Sequence, residues 1–148
     1  MTIIYVDGSC VNNGMSNASA GVGVYFGPGD VRNYSGKLGG CQQNAPRAEV
    51  EAIRQALILL GAFPRGGSGH REVTICSDCD AAILAVQKAK SQSACCSNYG
   101  VANNDLLRDI ANRMATSGYI VKLEKVAGHS NNTGNDKAHE LAYAAARA

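Results

Sequence analysis

Residues 2–7 (TIIYVD) form a short apolar run that ends in an acid, and residues 21–27 (GVGVYFG) alternate glycine with Val22, Val24 and Phe26 before a GPGD turn. Both patterns predict strands. Residues 31–38 (VRNYSGKL) supply a third, so the chain opens as a meander. The pattern then changes period. Pro46 suits a first helical turn, and Val50, Ile53, Leu57 and Leu60 fall on one stripe before Gly61, which is expected to end the helix. A Gly-rich loop separates it from VTICSD, a buried strand over 73–78 that also ends in an acid, and an Ala-rich helix over 79–90 follows. After a polar loop, residues 103–118 carry an Asn cap candidate and apolar Leu106, Leu107, Ile110 and Met114, closing at Gly118. Residues 119–126 alternate as a strand and 135–148 make a last helix. Three strands, then helix, strand, two helices, strand and helix predict an α/β fold with a mixed sheet and helices packed on it.

Composition narrows the partners only slightly. A chain of 148 residues fits one domain, and a net charge of +2 with scattered Lys and Arg permits a nucleic-acid partner without declaring one. Six cysteines are present, yet the first residues already read as a strand and no apolar run approaches membrane-spanning length. The expectation is an intracellular protein, nuclear or cytoplasmic, monomeric and with reduced thiols. Cys76 and Cys79 form a C-x-x-C without a second pair at zinc-ribbon spacing, and Cys95 and Cys96 are adjacent in a polar loop.

The chemistry is carried by acids. Asp7 and Asp78 each end an apolar run, at the strand edge where α/β folds build sites. Taken alone, either aspartate is explained by turn preference. Glu49, one turn into the first helix, is likewise explained by complementing the helix dipole, and Glu51 and Arg54 read as a solvated face. If Asp7, Glu49 and Asp78 converge, however, three carboxylates repel one another unless protonated or neutralised. Hard oxygen donors in such a cluster select Mg²⁺ or Mn²⁺.

YVDGSCVNNG, APRAEVEAI, ICSDCDAAI, NNDL and VAGHSNNTGNDKAHELA occur in an order and at spacings that resemble type 1 ribonuclease H, over nearly the whole chain. The resemblance implies the ribonuclease H fold, a five-stranded mixed sheet whose first three strands are antiparallel. It further implies hydrolysis of the RNA strand of RNA/DNA hybrids with two divalent metal ions. By position, the family's three acids fall on Asp7, Glu49 and Asp78, and its loop histidine that assists catalysis falls on His129. In the two-metal scheme Asp7 would bridge both ions, with Glu49 and Asp78 each serving one. His129, as an imidazole that titrates near neutrality, would move protons around the leaving group.

The fourth acid is where the chain departs. In GNDKAHELA that position is His139, whereas Asp136 matches the acid that commonly follows Gly-Asn and helps start the helix. An offset of three keeps Asp136 near the same helical face, so it is the alternative ligand; the plainer reading is that His139 only fills space. Exchanging a carboxylate for an imidazole favours Mn²⁺ over Mg²⁺.

For the substrate, Asn13 and Asn103 match groove asparagines of the family, Gln43 keeps its glutamine, Asn44 stands where a phosphate-contacting threonine is usual, and Ala45 replaces an asparagine. Hybrids are read through minor-groove shape, 2′-hydroxyls and phosphates, which suits short polar side chains. The basic, Trp-containing protrusion of many members is reduced to Lys88 and Lys90, so phosphate contacts are few and affinity modest. The expectation is a single catalytic domain over residues 1–148 without a separate hybrid-binding domain. Two other functions stay open: a hybrid-binding module with degenerate catalysis, and another ribonuclease H-like nuclease.

Overall fold

A computed structural model describes residues 2–62, 72–92, 103–127 and 133–148. The chain order is β1 (Thr2–Val11), β2 (Ser19–Tyr25), β3 (Tyr34–Lys37), α1 (Ala45–Ala62), β4 (Glu72–Ser77), α2 (Asp80–Gln92), α3 (Asn104–Thr116), β5 (Ile120–Lys125) and α4 (Thr133–Arg147). These strands form one sheet in the order β3-β2-β1-β4-β5. β1, β2 and β3 pair antiparallel, while β4 runs parallel to both β1 and β5. This is the ribonuclease H fold that the motifs imply.

Register assigns the two faces. Ile4 stands beside Ile75, and Val24 opposite Val6; with Val22, Val73 and Val121 they are all buried on the face covered by α1, α2 and α3. There Ile53, Leu57, Val86, Leu107 and Ile110 complete the core, each burial worth about 1.5–3 kcal/mol relative to exposure. Asp7 lies opposite Gly23 on the other face, against which α4 packs. The approach is unusually close. A Cβ on Gly23 would sit 2.2 Å from the Ala138 carbonyl oxygen, and one on Gly21 2.3 Å from the Ala146 nitrogen. The alternation of glycine with valine therefore serves two layers: valines face the core, and glycines let a helix of small residues (Ala138, Ala142, Ala145, Ala146) press onto the backbone.

Several sequence expectations shift at the edges. β1 runs on to Val11, so Asp7 lies within the strand rather than at its end, because the hairpin with β2 continues to Val11↔Ser19. The third strand shortens to Tyr34–Lys37, since Asn33 Oδ1 accepts from Phe26 N–H at 2.7 Å and its Nδ2 donates to Gly27 O at 2.8 Å, holding a turn there instead. α1 continues through Gly61. Glu51 is buried, not solvated. The Arg54 guanidinium donates to it at 3.0 Å and also to Asp109, and Arg113 meets Asp109 at 2.8 Å, tying α1 to α3. Cys10, Cys41, Cys76 and Cys79 are free thiols. Among the described residues no helix is long and apolar enough to cross a membrane.

Candidate active site

The N-terminus of α1 is held at a fixed height above the sheet. Asn44 caps it, its Oδ1 accepting from Arg47 N–H at 2.8 Å, and Asn13 Oδ1 from the β1–β2 hairpin accepts from Ala45 N–H at 3.1 Å. Pro46 has no N–H to satisfy, so the side-chain caps meet the donors of the first three residues. Beneath this turn Gly8 touches the helix backbone: a Cβ there would lie 2.6 Å from the Ala48 carbonyl carbon and the Glu49 nitrogen. Any side chain would lift α1 and with it Glu49. Instead Gly8 N–H donates to Glu49 Oε1 at 2.7 Å, an anchor that the acid-by-acid reading of the sequence missed although Gly8 adjoins Asp7.

The other acids arrive from the sheet. The β1–β4 ladder stops at Tyr5↔Cys76, so beyond it β1 is unpaired on the β4 side and Asp7 borders the opening. Asp78 follows β4 directly. Ser77, fully buried, turns the chain there, its Oγ accepting from Cys79 N–H at 3.1 Å and its carbonyl from Val126 N–H at 2.9 Å. One ligand oxygen from each of Asp7, Glu49 and Asp78 lies within 4.8 Å of the others. The convergence expected of the three acids is thus present.

Their electrostatics follow from that crowding. Glu49 is pushed up from its ordinary 4.5 to about 9, first by burial, then by the Asp7 and Asp78 charges, with the Gly8 N–H opposing. Asp7, 3 % exposed, is also raised, by burial and then by Asp78, while hydrogen bonds with His139 and Glu49 hold it down. Protonated Glu49 donating to ionised Asp7 satisfies both directions. Crowding of the three acids therefore favours a proton held between Glu49 and Asp7.

His139 reaches the site from α4, its Nδ1 2.8 Å from Asp7 Oδ2. It contacts one acid of the cluster but is not a member of it, whereas Asp136 stands exposed in the first turn of the same helix. His129 lies outside the described residues. Of the substrate candidates, Asn13 and Asn44 cap α1 through Oδ1, and each retains an Nδ2 donor. Gln43 is more committed: Oε1 accepts from Ala20 N–H at 2.8 Å and Nε2 donates to the Leu38 and Gly40 carbonyls. Asn103, at φ 65, is in the left-handed region, and its Oδ1 accepts from Arg47 Nη1 at 3.2 Å. Arg47 also grips Asp105 through two bonds, the shorter 2.7 Å, so α1 and α3 are joined at the rim of the site.

Three converging carboxylates, Asp7 buried and Glu49 and Asp78 half-buried, at the edge of a five-stranded mixed sheet define a nuclease-like acidic centre of the ribonuclease H class. The family model described as RNase H matches residues 1–147, and the chain belongs to that family. It is 36% identical over 145 residues to the ribonuclease H of Schizosaccharomyces pombe, covering 95% of this chain and 51% of that protein. To the ribonuclease H1 of Mus musculus it is 29% identical, covering 95% and 48%. The chain spans about half the length of these curated relatives. Its fold is similar to that of LC11-RNase H1 in complex with an RNA/DNA hybrid, with a TM-score of 0.74 at 21% identity over 99% of this chain and 97% of that one.

Proposed function

We propose that this chain hydrolyses the RNA strand of RNA/DNA hybrids endonucleolytically, and that residues 1–148 act as one catalytic domain. The observation that carries the reading is the meeting of Asp7, Glu49 and Asp78 within 4.8 Å in a chain of the RNase H family. The donor set fits hard divalent cations: all three contacts are carboxylate oxygens, and their crowding already drives one of them to hold a proton. Bound there, two Mg²⁺ or Mn²⁺ ions supply the Lewis-acid stabilisation of attacking and leaving oxygens that in-line phosphodiester hydrolysis needs.

The protein's own part is positioning. Gly8 N–H and the doubly capped start of α1 fix Glu49, the Ser77 turn fixes Asp78, and His139 holds Asp7 from the opposite side. His139 takes the fourth place of the site, with Asp136 as the alternative, and its nitrogen donor favours Mn²⁺ over Mg²⁺. His129 moves the proton at the leaving oxygen. Asn13 and Asn44 offer amide donors to the hybrid's minor groove and backbone, and Asn103 flanks them; Gln43 shapes the rim by stitching β2 to the 38–40 turn.

The test is cleavage of labelled RNA/DNA hybrid, double-stranded RNA and duplex DNA in Mg²⁺ or Mn²⁺, with Asp7→Asn as control. RNA-strand products from the hybrid alone, faster in Mn²⁺ and absent in the variant, are expected. Hybrid binding without cleavage would instead support a binding module with degenerate catalysis, which the imidazole on Asp7 favours; cleavage of duplex DNA would point to another nuclease of this fold.

A further inference from the structure

His139, Tyr143 and Arg147 follow one another at intervals of one helical turn along α4, so they stand on one face. The His139 and Tyr143 rings lie 5.9 Å apart at 47°. Beyond them the Arg147 guanidinium sits 3.4 Å from the Tyr143 ring centroid, and its Nη1 donates to the Tyr143 carbonyl at 3.4 Å. The row ends on Asp7 at the His139 Nδ1 contact.

Tyr143 is 47% exposed, so it adds little to the core, and its aromatic contacts are with the two members of this row. The His139 side chain is 39% exposed, and the Tyr143 ring adds to its Asp7 contact a restraint on the rotamers it must hold when an ion is bound. We propose that Tyr143, backed by Arg147, is a positioning residue that holds the His139 imidazole with Nδ1 on Asp7 and so sets how tightly the carboxylate cluster takes a divalent cation. The proposal rests on the ion-site reading above and is independent of which nucleic acid is cut.

Two measurements on the ion-free and Mn²⁺-titrated protein, without nucleic acid, test it. The chain has three histidines, so long-range proton–nitrogen spectra near pH 8 resolve the His139 tautomer directly. Wild type should show a single Nδ1–H form, the donor to Asp7. Tyr143→Leu should give a tautomer mixture and a Mn²⁺ affinity lower by about threefold to tenfold, the range for a side chain that must be ordered on binding. Tyr143→Phe, which keeps the ring, should match wild type in both, and in a His139→Ala background Tyr143→Leu should change Mn²⁺ affinity no further. A Leu variant with wild-type tautomer and affinity, or a Phe variant as impaired as Leu, would overturn the proposal. Absence of Mn²⁺ binding to wild type would overturn the ion-site reading and the affinity half with it, while the spectrum still decides the positioning half.

Discussion

Glu49→Gln is predicted to stabilise the ion-free protein. Glu49 is raised from its ordinary 4.5 to about 9 by burial beside Asp7 and Asp78, so the folded state keeps a proton that the unfolded chain releases. The sign follows from linkage: a raised folded value means full stability below pH 4.5 and progressive loss as pH climbs through about 9. Between 4.5 and neutrality lie about 2.5 pH units, and at about 1.36 kcal/mol per unit the cost at pH 7 reaches up to about 3 kcal/mol. A glutamine removes that cost. Its Oε1 can still accept from Gly8 N–H, and its Nε2 can donate to ionised Asp7 as the protonated acid does. For a domain of this size the gain corresponds to a melting temperature higher by about 6–12 °C in chelator-treated buffer at pH 7. Thermal unfolding from pH 5 to 9 is the assay. Wild type should lose stability across that range, Glu49→Gln should be nearly flat, and Mn²⁺ should raise the melting temperature of wild type only. A wild-type profile without slope, or a glutamine variant less stable than wild type at pH 7, would mean that Glu49 keeps no such proton in the folded chain.

Gly23→Ala should lower the melting temperature by about 2–12 °C, because a Cβ 2.2 Å from the Ala138 carbonyl forces α4 off β2 at the roughly 1–3 kcal/mol typical of overpacking; calorimetry checks it. Asp105→Asn should cost less than about 1 kcal/mol, since its carboxylate is 65% exposed and solvent screens its pair with Arg47. Arg47 holds Asp105 down to about 2, so that contribution is present above pH 3.8 and disappears as pH falls through about 2, which acid titration of wild type against variant will show. His129→Ala should slow hybrid cleavage with little change in hybrid affinity, and an unchanged single-turnover rate would remove it from proton transfer.

The layers of this fold were legible because each long element has one clean period. Val50, Ile53, Leu57 and Leu60 mark α1, and valines alternate with glycines in β2. Boundaries were less so, since partners outside the segment set them: β2 carries β1 on past Asp7, and Asn33 converts the start of the third strand into a turn. The three acids were found because burying several like charges together needs a counterion or a proton. Glu51 looked like its mirror image, a surface acid, but it is buried and paired with Arg54 on its own helix, and Arg54 in turn reaches Asp109 on α3. The anchor of Glu49 on Gly8 N–H is a backbone contact between residues 41 apart, and the Arg147–Tyr143–His139 row needs the helix register that α4 takes on Gly21 and Gly23. No local pattern encodes the first, and the four-residue spacing of the second marks one helix face without saying that it turns toward Asp7.

Whether the three carboxylates form one ion site is decided by calorimetric titration of Mn²⁺ into wild type and Asp7→Asn at pH 7, in two buffers of different ionisation enthalpy. Binding by wild type with release of close to one proton, and loss of both in Asp7→Asn, is what a cation displacing the Glu49 proton from the Asp7–Glu49–Asp78 cluster requires. Binding that survives Asp7→Asn unchanged, or that releases no proton, would contradict it.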